Sequence, residues 1–107
     1  IDRNNIQIDG FTEDIMPLEP LKKKLEAFGL YTLVVNGHDF KQIINALNTA
    51  KQSKKPSAII ANTIPGKGVS FMEGDYRWHG KAPNKEKELK ALAELRTLQG
   101  KIKSEHE

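Results

Sequence analysis

The stretch YTLVVNGHDFKQIINALNTAKQSKKPSAIIA, residues 31–61, decides the fold class. Tyr31 to Val35 is a short aromatic and β-branched run, the composition of a strand. Asn36-Gly37 turns the chain. Asp39 offers a side chain to cap the helix that follows, with Gln42 three residues on as in a capping box. Phe40, Ile43, Ile44, Leu47 and Ala50 recur at i, i+3, i+4, i+7 spacing and define an apolar face, while Lys41, Asn45, Asn48 and Lys51 take the other side. Lys54-Lys55-Pro56 ends the helical unit. Ser57 to Ala61 is a continuous run of small and apolar residues, which fits a strand covered on both faces. Strand, helix and strand with short connections form a βαβ unit, whose strands run parallel and whose crossover is right-handed. The expectation is an α/β chain carrying part of a doubly wound parallel sheet.

Outward from this unit the pattern thins. Ile1, Asp2 and Arg3 read as the end of a strand, and residues 4–16 as a loop rich in Asn, Asp and Gly. Pro17 and Pro20 bracket a helix start. Leu21, Leu25 and Phe28 follow at helical spacing, and Gly29 stands where a C-terminal cap is expected. Residues 62–84, NTIPGKGVSFMEGDYRWHGKAPN, have no clear period; loops of this length in compact domains are usually functional. Leu89, Leu92, Ala93 and Leu95 define a last amphipathic helix from about Lys85 to Leu98. The expected organisation is one unit over residues 1–98 and a polar tail over 99–107. Two strands and a stub cannot cover three helices. The chain is therefore expected to be N-terminally truncated, with further strands supplied from elsewhere.

Composition sets outer limits. The 17 basic and 14 acidic residues leave a net charge of only +3, too balanced to argue for nucleic acid. The lysines of Lys22-Lys23-Lys24 and Lys54-Lys55 are interleaved with acids and lack an aromatic platform, so a basic binding module is disfavoured. There is no cysteine, hence no disulfide framework and no thiolate metal site. No apolar run approaches the roughly 20 residues of a membrane span, and no signal-peptide pattern opens the chain. A cytoplasmic protein that binds neither membrane nor nucleic acid is expected.

Ligands of open parallel sheets bind beyond the carboxyl ends of the strands. Three segments leave such ends: Asn4-Asn5-Ile6, Asn36-Gly37-His38-Asp39 and the loop from Asn62. Asn4 and Asn5 read either as a turn of residues that tolerate the left-handed conformation or as neutral oxygen donors for a hard cation such as Mg²⁺. The latter makes half a site that lacks its carboxylate. Asp2 is a poor candidate for that carboxylate if it alternates inside a strand. Gly66-Lys67-Gly68 offers close backbone approach and a point charge to an anion, or is a flexible surface turn. His79, between the only tryptophan and Gly80, can donate to phosphate or move a proton, or is a solvated loop residue. Asp39 is better explained as a cap, His38 more as a turn residue, and His106 lies in the tail.

Four segments, NNIQIDG, AFGLYTLVVNGHD, NTIPGKGVSFMEG and WHGKAPN, resemble the transketolase family in order and spacing. The resemblance is nearest to the N-terminal subunit of split transketolases, over the second half of the domain that binds the pyrophosphate of thiamine diphosphate. It implies the thiamine diphosphate-binding fold and transfer of a two-carbon ketol unit between sugar phosphates. It implies Mg²⁺ and thiamine diphosphate as cofactors. It matches Asn4 to a metal ligand beside the diphosphate and Ile6 to the residue whose backbone carbonyl also meets the metal. It matches His79 to a catalytic histidine that contacts cofactor and substrate. Ile64 and Gly66 fall in the cofactor-binding segment. Where some members carry a cofactor-contacting lysine, this chain has Pro65, with Lys67 nearby. The implied partners are the C-terminal subunit with the pyrimidine-binding domain, a second copy of the assembly, and sugar phosphates. The alternatives are a non-catalytic assembly module, or a related enzyme such as a 1-deoxyxylulose-5-phosphate synthase.

Overall fold

The computed structural model describes residues 1–99. The remainder of the expected polar tail, with His106, lies outside them. The elements in chain order are β1 (Asp2–Arg3), β2 (Ile6–Gln7), β3 (Gly10–Phe11), α1 (Thr12–Ile15), α2 (Leu21–Ala27), β4 (Tyr31–Asn36), α3 (Phe40–Gln52), β5 (Ser57–Asn62), a 3-10 turn (Tyr76–Trp78) and α4 (Lys85–Gln99). The short strands β2 and β3 pair with each other. These and the single-turn α1 occupy a segment that reads as loop, because elements of two to four residues are too short to show a period. The described chain divides into two compact bodies, residues 1–5 with 11–63, and residues 6–10 with those from 64 onward.

The first body is built on a parallel three-stranded sheet of order β1-β5-β4. Its two long strands match rung for rung, from Tyr31 opposite Ser57 to Asn36 opposite Asn62. On the other edge of β5, Asp2 lies opposite Ala61 and Arg3 opposite Asn62. The continuous apolar run of residues 57–61 is the central strand of this sheet; Ile60 is its most buried residue at 4% exposure, while Ala58, Ile59 and Ala61 are half-buried. The βαβ expectation holds: β4 and β5 are adjacent and parallel, joined through α3.

Helix α3 starts where the capping signal places it. The Asp39 side chain accepts from the backbone N–H of Lys41 at 2.9 Å and of Gln42 at 3.1 Å. Gln42 does not close a reciprocal box. Its Nε2 donates to the Asp39 carboxylate and its Oε1 accepts from the Asn36 N–H at 2.9 Å, tying the helix start to the end of β4. Gly37 permits this corner, since a Cβ there would collide with Thr63 Cγ2.

The apolar face of α3 is only half used. Ala46 is buried and Ile43 and Ala50 half-buried, whereas Phe40 is 81% exposed and Ile44 and Leu47 are also exposed. A sheet of three strands covers one flank of the stripe, so the period locates the face without deciding which side of it is buried. Helix α2 ends at Ala27 with Phe28 as its cap residue, and Gly29 follows at φ +86°. Phe28, expected on the packed face, is 84% exposed.

One charged side chain belongs to the interior. Arg3 is 6% exposed, and its guanidinium donates to Thr12 Oγ1 at 3.0 Å, Glu13 Oε1 at 2.8 Å and Glu19 Oε1 at 3.2 Å. A buried guanidinium requires such partners. Here they join β1, α1 and the start of α2, where Glu19 also accepts the Leu21 N–H at 3.0 Å.

In the second body, residues 64–75 wind through successive turns. The Val69 N–H donates to Gly66 O at 3.1 Å, Met72 to Val69 O at 2.9 Å, and Gly74 to Pro65 O at 2.9 Å. Val69 is buried within them. Asn84 caps α4 by accepting the Lys87 N–H at 2.9 Å, and Glu94 accepts from both the N–H and the hydroxyl of Ser70. Leu89, Leu92 and Leu95, expected as the packed face of α4, are exposed.

Removing the α3 cap separates its worth from packing. Asp39→Ala is expected to destabilise the protein by about 1 kcal/mol, read as a lower denaturant midpoint at unchanged slope.

Candidate functional site

The parallel register brings three strand ends to one level. Arg3, Asn62 and Asn36 occupy a single row across the sheet, so Asn4, Thr63 and Gly37 are the next residues out. The row is closed by backbone bonds from the Gly37 N–H to Asn62 O at 2.7 Å and from the Thr63 N–H to Arg3 O at 3.3 Å. This is the carboxyl edge at which sheets of this class meet ligands.

Asn4 stands at that edge, half-buried. Its Nδ2 donates to Asp2 Oδ2 at 3.2 Å, and the other carboxylate oxygen of Asp2 accepts from the Thr63 hydroxyl. A carboxylate can only accept, so the amide nitrogen must be the branch that faces it, and the Asn4 oxygen is turned the other way. Asn5 takes a left-handed conformation, φ +63°, and its carbonyl accepts the Thr12 N–H at 3.0 Å. The turn reading and the donor reading of these asparagines are therefore compatible: Asn5 makes the bend and Asn4 presents the amide. His38 is exposed, its N–H bonded to the Asn36 side chain at 2.9 Å, which makes it a turn residue.

The other candidates lie in the second body. Ile6 belongs to β2 there, apart from Asn4 in the division of the chain. Gly66 has φ +71°, and a Cβ on it would lie 2.6 Å from the Met72 carbonyl, so only glycine fits. Lys67 lies 3.4 Å from Glu73, whose carboxylate also accepts the Gly68 N–H at 2.9 Å. Ile64 is exposed and Pro65 half-buried at the start of these turns. His79 follows the 3-10 turn, exposed, with its N–H on Tyr76 O at 2.9 Å.

A pocket of roughly 210 Å³ is lined by Phe71, Asp75, Arg77, Trp78, Lys81 and Lys87; His79 is not among its lining residues. The Trp78 indole donates to Phe71 O at 2.9 Å and meets the Phe71 ring edge-on at 5.4 Å. Lys87 and Lys81 place their ammonium groups 4.8 and 5.7 Å from the Trp78 ring, within cation–π range. The Arg77 guanidinium beside Asp75 holds that carboxyl below its usual range, and Asp75 in turn raises the guanidinium. The Ser70 N–H and hydroxyl do the same for Glu94.

As a metal site the donor set is partial. An amide oxygen and a backbone carbonyl are hard neutral ligands suited to Mg²⁺. Among the described residues, however, no group of three or more His, Asp or Glu could hold a metal ion. The Asn4 amide is by itself a neutral donor that suits a cation whose charge is balanced by other groups, such as a diphosphate. Asp2, a poor candidate for a metal carboxylate if it alternates inside a strand, lies in β1 with its carboxylate against the Asn4 amide. The signal it carried was the Asp-x-Asn spacing.

A family model described as transketolase, thiamine diphosphate binding domain, matches residues 1–101. A subunit of the apulose-4-phosphate transketolase of Actinobacillus succinogenes is 41% identical over 95 residues, which are 89% of this chain and 34% of the relative. The 6-deoxy-6-sulfo-D-fructose transketolase subunit SqwG of a Clostridium species is 45% identical over 95 residues, 88% of this chain and 34% of the relative. The crystal structure of transketolase from Campylobacter jejuni superposes with a TM-score of 0.78 at 40% identity, covering 86% of this chain and 14% of that one. The chain spans about a third of the length of these two subunits.

The lowered Asp75 and Glu94 carboxyls predict acid sensitivity in the second body. A depressed folded-state pKa contributes stability above the unfolded value, about 4 for carboxylates, that is lost as pH falls through the folded one. Trp78 emission is expected to change cooperatively below about pH 4, and Asp75→Asn to flatten that pH dependence of stability, measured by acid titration in fixed denaturant.

Proposed function

This chain belongs to the transketolase family, and on that premise we propose that it is the C-terminal half of the thiamine diphosphate-binding domain of a split transketolase. The observation that carries the proposal is the placement of Asn4 at the carboxyl edge of the parallel sheet, its amide turned by Asp2. In this reading the chain acts with the rest of its domain and with a C-terminal subunit that brings the pyrimidine-binding domain. The names of its relatives as transketolase subunits support that assembly. The reaction is transfer of a two-carbon ketol unit from a ketose phosphate to an aldose phosphate.

Each residue has a role in this proposal. Asn4 gives its amide oxygen, and Ile6 its backbone carbonyl, to the Mg²⁺ that neutralises the diphosphate. Gly66 lets the backbone of the 64–68 turns approach the cofactor, and Ile64 offers an apolar side chain. His79 is the catalytic residue. Its imidazole N–H donates to a diphosphate oxygen or a substrate hydroxyl and moves a proton there. Bound thiamine diphosphate supplies the stabilisation of carbanion character at the transferred carbon.

Native mass spectrometry of the protein from its own source tests the assembly. Co-purification with a second subunit, thiamine diphosphate and Mg²⁺ is expected; a cofactor-free chain without a partner would favour a non-catalytic module. In the active assembly, His79→Ala is expected to lower kcat for ketol transfer by about 10²-fold or more. An unchanged rate would remove His79 from the chemistry.

A further inference from the structure

We propose that Asp2 is the positioning residue for the Asn4 metal ligand, with Thr63 as the brace that holds Asp2 in place. The inference rests on the reading of Asn4 as a Mg²⁺ ligand and adds two residues to it. Asp2 lies in β1 and Asn4 follows directly after the strand, and the hydrogen bond between their side chains brings the two together. Asp2 sits opposite Ala61 in the parallel ladder, which makes Thr63 its diagonal neighbour toward the carboxyl edge. The Asp2 carboxylate is thereby gripped from both sides. One oxygen accepts from the Thr63 hydroxyl and the other from Asn4 Nδ2 at 3.2 Å.

The chemistry of the pair makes the arrangement directional. An asparagine amide can rotate by half a turn about its last bond and exchange oxygen for nitrogen at little steric cost. Turned the wrong way it would present an NH₂ group to a cation. A carboxylate against one branch removes that freedom, because the amide oxygen would be repelled there and the NH₂ group is held. Asp2 therefore selects the amide orientation in which oxygen serves as the metal donor. Partners that orient metal ligands in this way typically account for about 10–100-fold in metal affinity. Thr63 belongs to the same device: without its hydroxyl, Asp2 loses its anchor to the end of β5.

Calorimetric titration of Mg²⁺ into the purified protein, with thiamine diphosphate at fixed excess, tests this. Four variants are compared with the wild type: Asn4→Ala, Asp2→Ala, Asp2→Asn and Thr63→Val. Thermal midpoints without Mg²⁺ are measured in parallel. The expected result is a 10–100-fold weaker Mg²⁺ affinity for Asp2→Ala, a smaller loss for Thr63→Val, and a metal-free midpoint near wild type for both. Asp2→Asn can turn either branch of its own amide toward Asn4, so it no longer selects the orientation and is expected to recover only part of the affinity. Wild-type affinity in Asp2→Asn would mean that the acceptor-only carboxylate is not what orients Asn4, and would overturn positioning. Unchanged affinity in Asp2→Ala, with Asn4→Ala impaired, would overturn the inference while leaving the metal site standing. A wild type that binds no Mg²⁺, or an Asn4→Ala variant that binds it normally, would remove the site itself. If Asp2→Ala does not fold, Thr63→Val decides alone: reduced affinity supports the brace and unchanged affinity overturns it.

Discussion

The parallel ladder along β5 is the constraint on which the first body depends. Each edge of this strand is read by a different neighbour, β4 over six rungs and β1 over two. Because the pairing is parallel, all three strands end at the same edge. That places Asn4, Thr63 and Gly37 in one row, although they are far apart in sequence. Side chains along a strand alternate between its faces, so a slip of one residue between β1 and β5 would turn Thr63 from the face that Asp2 shares. The orientation of Asn4 is in this sense a consequence of strand register.

Register needs its own support where a strand is only two residues long. Backbone bonds from so short a ladder are few, and the buried Arg3 guanidinium compensates. It fastens β1 to Thr12, Glu13 and Glu19, residues that lie far from it in sequence and close to it in space. Thr12 acts twice, since its hydroxyl accepts from Arg3 and its N–H donates to Asn5 O. The bend that carries Asn4 is thus held at the residue before it and the residue after it. Binding sites gain affinity when their donors are already in place before the ligand arrives.

The chain also carries apolar surface that its own elements leave bare. Phe28, Phe40, Ile44 and Leu47 in the first body and Leu89, Leu92 and Leu95 in the second are exposed, far beyond single scattered hydrophobics. The chain corresponds to about a third of the length of the two subunits it is similar to. Helix α3 shows the bare surface most clearly, with one flank of its stripe against the sheet and the other in solvent.

Whatever short-range physics controls could be read from the order of the amino acids alone. The β-branched run of residues 31–35, the Asp39 cap and the apolar continuity of residues 57–61 are written within a few residues, and each is present where it was expected. The family resemblance was legible for the same reason, since it rests on contiguous motifs. Contacts between residues remote along the chain had to wait for the folded structure. Asp2 meets Thr63 across 61 residues, and Arg3 is buried by side chains that no periodic pattern links to it. The buried flank of α3 was chosen by the width of the sheet, whereas its stripe lent both flanks equal claim. Strand register and burial depend on which distant surfaces come together. Composition and spacing record only what each segment offers when they do.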